Sequence, residues 1–205
     1  MVDWPGGNLS GGWTAVAGYT LNAKAGSDKN FSGMTFVNPG KITGGATIQT
    51  AKHTNSGHIA PGNSPGTLTL AGNFEQTAAG VLDIELACSV LFDRLVVNGT
   101  ATLGGTLALG CIGSCALNAN DTFVILNASG DLSGTFGSVT ATGFGSGFDY
   151  SLRYDYAADL VELRVIQPGL PLPVPEPETW AMLIAGLGLM GALAHRQARP
   201  RSSVS

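Results

Sequence analysis

Along the middle of this chain, apolar and polar residues alternate in short runs. The clearest is Val81-Leu82-Asp83-Ile84-Glu85-Leu86, with Leu82, Ile84 and Leu86 on one face and Asp83 and Glu85 on the other. That two-residue period marks a strand with one buried side. Other β-prone pieces recur from about residue 33: Met34-Thr35-Phe36-Val37, Ala46-Thr47-Ile48-Gln49, Thr67-Leu68-Thr69-Leu70, Arg94-Leu95-Val96-Val97, Ala101-Thr102-Leu103 and Thr106-Leu107-Ala108-Leu109. Gly, Asn or Pro bounds each of them. The links Ala71-Gly72-Asn73, Asn98-Gly99 and Gly104-Gly105 are expected to supply positive φ without Cβ strain. Strands this short bury no face alone. Stacked in successive coils they cover one another's open edges, so the pattern predicts a mainly β fold of solenoid type.

The pattern changes after Val165-Ile166. Pro168, Pro171, Pro173 and Pro175 favour an extended spacer that neither pairs in sheets nor coils into a helix. Trp180 to Ala194 is then apolar on every face, with Trp at one end and cations beyond the other. As a helix this run spans roughly 22 Å at ~1.5 Å per residue, short of the ~30 Å hydrocarbon core. Thr179 and His195 lengthen it, and the terminal anchors predict a membrane helix whose basic end, Arg196, Arg199 and Arg201, lies on the cytoplasmic side. The expected organisation is an irregular segment or truncated first coil over 1–32 and a β domain over 33–167. A Pro-rich spacer over 168–178, a transmembrane helix over 179–195 and a basic tail over 196–205 complete it.

Composition sharpens this in three places. Charged residues make up 12% of the 205, and glycine numbers 30, which suits short strands and tight turns. Residues 1–170 carry seven Lys/Arg against twelve Asp/Glu, and the remainder three against two; with no basic stripe on the body, nucleic acid is not an expected partner. Cys111 and Cys115 form a C-x3-C pair, read as a small-loop disulfide in an oxidising compartment, with free thiols the alternative and Cys88 left over, partly buried. Met1-Val2-Asp3-Trp4-Pro5 has neither a basic start nor an apolar run, so an export signal or further coils are expected upstream of it.

Two resemblances follow from particular residues. Ile59-Ala60-Pro61-Gly62-Asn63-Ser64-Pro65-Gly66-Thr67-Leu68, with the strands after it to Leu107, resembles the passenger domains of autotransporters. That likeness implies a short right-handed parallel β-helix exposed outside the cell. Val174-Pro175-Glu176-Pro177-Glu178-Thr179-Trp180, the Gly-rich apolar run and the arginines resemble the PEP-CTERM sorting signal. That likeness implies recognition by an exosortase-type protease, cleavage near Pro175-Glu176-Pro177, and passage from the inner membrane, with the body in the periplasm, to the cell surface or matrix. Extracellular polysaccharide is a further expected partner.

Candidate chemistry on the body is thin. Asp83 and Glu85 read first as the outward face of an alternating strand, and second as acids of a polysaccharide-acting β-helix enzyme, with Asp93 on the next strand. His53 and His58 read as surface-loop residues, because five positions apart suits neither a strand face nor a helix turn for a shared metal. Gly186-Leu187-Gly188-Leu189-Met190-Gly191 satisfies a dinucleotide fingerprint but lacks the strand before it and the acid after it. No catalytic residue, metal or cofactor is expected. The reading is a non-enzymatic exported surface protein, with a fragment of a larger adhesin or a polysaccharide-acting enzyme as alternatives.

Overall fold

The computed structural model describes residues 18–24, 26 and 29–170, together with three two-residue strand pieces ahead of them. The chain divides into two units, Met1–Pro171 and Leu172–Ser205, and only the first is described. The early pieces are β1 (Val2–Asp3), β2 (Gly7–Asn8) and β3 (Trp13–Thr14). Then follow β4 (Thr20–Ala23), β5 (Lys29–Asn38), β6 (Lys41–Gly44), β7 (Thr47–Asn55), β8 (His58–Pro61) and β9 (Thr67–Gln76). Next come β10 (Val81–Cys88), β11 (Leu91–Phe92), β12 (Arg94–Val97), β13 (Ala101–Leu103) and β14 (Thr106–Ala116). The last five are β15 (Thr122–Ala128), β16 (Leu132–Gly134), β17 (Ser138–Thr142), β18 (Ser146–Asp155) and β19 (Leu160–Leu170). The fold is mainly β, and the described residues contain no helix.

These strands form two sheets of mixed but mostly parallel pairing. One runs β1-β4-β6-β8-β10-β14-β17, with β11 beside β10; the other runs β18-β19-β15-β12-β9-β7-β5-β2, with β3, β13 and β16 attached. From β4 to β10 the chain visits the sheets in strict alternation. Parallel pairing in register sets apolar residues above one another. Leu21, Ile42, Ile59, Leu82 and Leu107 form one buried column, and Leu68, Leu95, Leu126 and Val161 another. Each such Leu or Ile contributes about 1.5–3 kcal/mol by leaving water. Parallel order ends at β15, which pairs antiparallel with β19, and the β18–β19 hairpin closes that sheet.

A polar column runs beside the apolar ones. Asn38, Asn55 and Gln76 occupy the last positions of β5, β7 and β9, pair in register, and are buried. Asn38 Nδ2 donates to Asn55 Oδ1 (2.8 Å) and to the His58 carbonyl (2.9 Å). Asn55 Nδ2 donates to Gln76 Oε1 (3.4 Å) and the Val81 carbonyl (3.2 Å), and Gln76 Nε2 donates to the carbonyls of Gly104 and Thr106 (3.0 Å each). The three amides satisfy backbone groups where the chain turns towards the other sheet, and one another besides.

The structure differs from the sequence expectations at three points. Gly72 (φ +144°) and Gly105 (φ +62°) do take positive φ, but Gly99 does not. Glycine is needed at 99 for space, since a Cβ there would lie 2.6 Å from the Gly72 carbonyl oxygen. Secondly, neither histidine lies on a loop: Lys52-His53-Thr54-Asn55 belongs to β7 with His53 buried, and His58 is exposed but opens strand β8. Thirdly, β19 carries Pro168 into the sheet opposite Phe148. There β19 pairs with β18 alone, and a residue without an N–H is tolerated where no second neighbour needs the donor. Gly105→Ala is expected to lower stability by about 2 kcal/mol, because its Cβ would fall on the Gly80 carbonyl oxygen at an unfavourable φ. Urea unfolding of the variant measures this.

Candidate functional site

The outward face of the first sheet carries an open groove of about 530 Å³. Strand alternation aims Asp83 and Glu85 of β10 into it while Leu82, Ile84 and Leu86 point to the core. Lys41 and His58 are register neighbours on β6 and β8, and both line the groove. The turn after β8 adds Ser64, at φ +63°.

Every carboxylate in this groove is already engaged. His58 Nδ1 lies 2.9 Å from Asp83 Oδ2, and the Ser64 hydroxyl donates to Glu85 Oε2. Asp93, between β11 and β12, is 1% exposed. It accepts the backbone N–H groups of Gly66 (2.7 Å) and Glu85 (3.0 Å), so one side chain ties the 61–66 turn down to β10. Burial pushes its carboxyl up to about 7, against the two N–H donors, and the neighbouring acids Glu85 and Asp83 push the same way. The sequence brought Asp83, Glu85 and Asp93 together as acids on adjacent strands. It did not signal that Asp93 is a buried tie or that His58 and Ser64 cover the other two. Among the described residues, no cluster of three or more His, Cys, Asp or Glu side chains is placed to hold a metal ion.

The three cysteines are thiols, all half-buried, near the end of β10 and in β14. Asp155 and Asp159 flank the β18–β19 turn. Asp155 Oδ1 accepts the N–H groups of Ala157 and Ala158 at 3.1 Å each, and Asp159 Oδ1 accepts that of Leu132 at 2.8 Å. These acids shape turns.

The remaining expected site lies in the tail. Val174, Pro175, Glu176, Pro177, Thr179 and Trp180, the helix after them, and Arg196, Arg199 and Arg201 are outside the described residues. Among the described residues, no helix is long and apolar enough to cross a membrane. The sequence of the tail decides the matter. Residues 173–197 match the PEP-CTERM protein-sorting motif. The match takes in the Val-Pro-Glu-Pro signature, the apolar run and Arg196, and stops short of Arg199 and Arg201. The chain thus carries the sorting signal of exported proteins, the kind of signal that exosortase-type processing recognises. PEP-CTERM signals go with membrane-associated export towards the cell surface. No curated protein matches the chain.

Proposed function

We propose that this chain is a non-enzymatic surface or extracellular-matrix protein that an exosortase-type protease sorts and releases. The observation that carries this reading is the PEP-CTERM match over 173–197. The apolar run from Trp180 to Ala194 would be held in the inner membrane, with Arg196, Arg199 and Arg201 on the cytoplasmic side and residues 1–167 outside. Cleavage near Pro175-Glu176-Pro177 would then pass the body to the surface, where extracellular polysaccharide is its expected neighbour.

The body is read as a short right-handed parallel β-helix. Support comes from the strict alternation of β4 to β10 between two mostly parallel sheets and from side-chain columns repeated in register from β4 to β14. A non-catalytic role is supported by the alternation of β10, which by itself sends Asp83 and Glu85 to the outward face.

Mass spectrometry of the mature C-terminus tests the sorting reading in cells that contain the protease. The expected product ends near Pro175–Pro177 and leaves the membrane fraction. Replacing Pro175, Glu176 and Pro177 together with alanine is expected to keep the full-length chain in the membrane. An intact Arg201-Ser202-Ser203-Val204-Ser205 end on the unaltered chain would overturn the proposal.

A further inference from the structure

We infer that Cys111 and Cys115 are a cross-linking site: they close an intramolecular disulfide over a bulge in β14 and leave Cys88 as a thiol. The inference concerns the body alone and does not depend on the sorting reading.

The register of β14 on β10 makes the case. Leu86 pairs with Cys111, and the next matched pair is Cys88 with Ala116. Two steps along β10 are therefore matched by five along β14, so three extra residues are thrown out of the ladder. Gly113 (φ +65°) and Cys115 (φ +43°) bend this excursion back to the sheet. Cys115 has the Cys111 side chain beside it. Its Sγ also donates to the Leu86 carbonyl at 3.3 Å, and Leu86 is the register partner of Cys111. Both contacts bring the Cys115 sulfur to the Cys111 end of the bulge. Cys88 lies the other way, opposite Ala116, where β10 runs out into the exposed Val90 turn. Of the three pairings that three cysteines allow, Cys111–Cys115 is the one that spans the bulge itself, with the Cys115 sulfur held on the carbonyl of the Cys111 register partner.

Non-glycine residues seldom take the positive φ seen at Cys115, and a covalent bond to Cys111 would hold that conformation once formed. Burial, together with Cys111 beside it, pushes the Cys115 thiol up to about 12. Cys115 therefore keeps its proton in water at neutral pH, and half-buried Cys111 opens the reaction. The oxidant is a disulfide of general form R–S–S–R, as in oxidised glutathione. The Cys111 thiolate attacks it, forming a mixed disulfide and releasing one R–S⁻. Cys115 then displaces the second R–S⁻ as it gives up its proton. Two S–H bonds are lost and one S–S bond is gained, while the reagent takes two electrons and both protons to become two thiols.

The test uses the purified full chain, oxidised glutathione, iodoacetamide trapping and tryptic mass mapping without reductant. No Lys or Arg falls between Arg94 and Arg153, or between Lys52 and Arg94, so Cys111 and Cys115 share one peptide and Cys88 sits on another. The 95–153 peptide is expected to be two hydrogens lighter and unalkylated, and the 53–94 peptide to carry one alkyl group. Cys88→Ser should leave that pattern on 95–153 unchanged, and Cys111→Ser should abolish it. Two alkylated cysteines on 95–153 after full oxidation, or a cross-link joining the two peptides, would overturn the inference. Export plays no part in this assay, so its failure is distinct from failure of the sorting reading.

Discussion

Replacing His53 with leucine is expected to make the protein more resistant to mild acid than the natural chain. His53 is 1% exposed in β7, in register between Phe36 and Phe74. Its Nε2 sits 3.1 Å from the Ile48 carbonyl oxygen and is the protonated nitrogen of the neutral ring, while its buried Nδ1 has no partner among the described residues. A proton on Nδ1 would place a charge among aromatic rings. Burial accordingly lowers its pKa from 6.5 to about 4, with the bond to Ile48 acting weakly the other way. Between pH 6.5 and 4 the unfolded chain binds the proton and the folded one does not. Stability from His53 is therefore present above pH 6.5 and lost as pH falls to 4, by about 3 kcal/mol in all. Asp93 has the opposite sign. Its folded value of about 7 against 3.8 means that stability is lost as pH rises from 3.8 to 7. In the natural chain the two trends offset each other. Urea unfolding at pH 7 and pH 4.5 should show the His53→Leu variant gaining relative to the natural chain on acidification, and Asp93→Asn losing. Parallel pH profiles for all three proteins would refute both assignments.

The two sides of that pair were not equally visible in sequence. Apolar alternation gave Val81–Leu86, Arg94–Val97 and Ala101–Leu103 as strands because each has a greasy face and a glycine-bearing end. It failed over Lys52-His53-Thr54-Asn55, where the buried positions are polar. A histidine there reads as a loop residue until Phe36 and Phe74 are seen in register beside it. Long-range register also explains Asp93. Its partners, Gly66 and Glu85, are 27 and 8 positions away, beyond any local period. The acid pair on β10 was legible, since alternation alone sends Asp83 and Glu85 outward. The partners that occupy them, His58 and Ser64, come from a neighbouring strand and its turn. The sorting motif is the reverse case. Its information lies in residue order rather than in packing, so sequence reads it directly.

Asn55→Leu is the change expected to damage the fold most, by about 4 kcal/mol, although it replaces a polar residue with an apolar one of similar size at a fully buried position. Asn55 is 0% exposed and stands in the middle of the amide column. Its removal takes one partner each from Asn38 Nδ2, Gln76 Oε1 and the Val81 carbonyl. A buried group left unsatisfied costs about 1–3 kcal/mol. Hydrophobic transfer recovers some of this, because leucine prefers the interior. The balance still falls on the side of loss, since three groups lose partners and water has no access. A sequence signal for the column does exist: Asn38-Pro39-Gly40 and Asn55-Ser56-Gly57 repeat an Asn-x-Gly unit at the ends of β5 and β7. A double-mutant cycle between Asn38→Ala and Asn55→Ala isolates their 2.8 Å bond, and a coupling of at least ~1 kcal/mol is expected. Strictly additive costs would mean that the amides act singly and that stacking contributes nothing. A large coupling would show that the turns are held as a column, so that a fault at Asn55 loosens the coverage of Asn38 and Gln76 together.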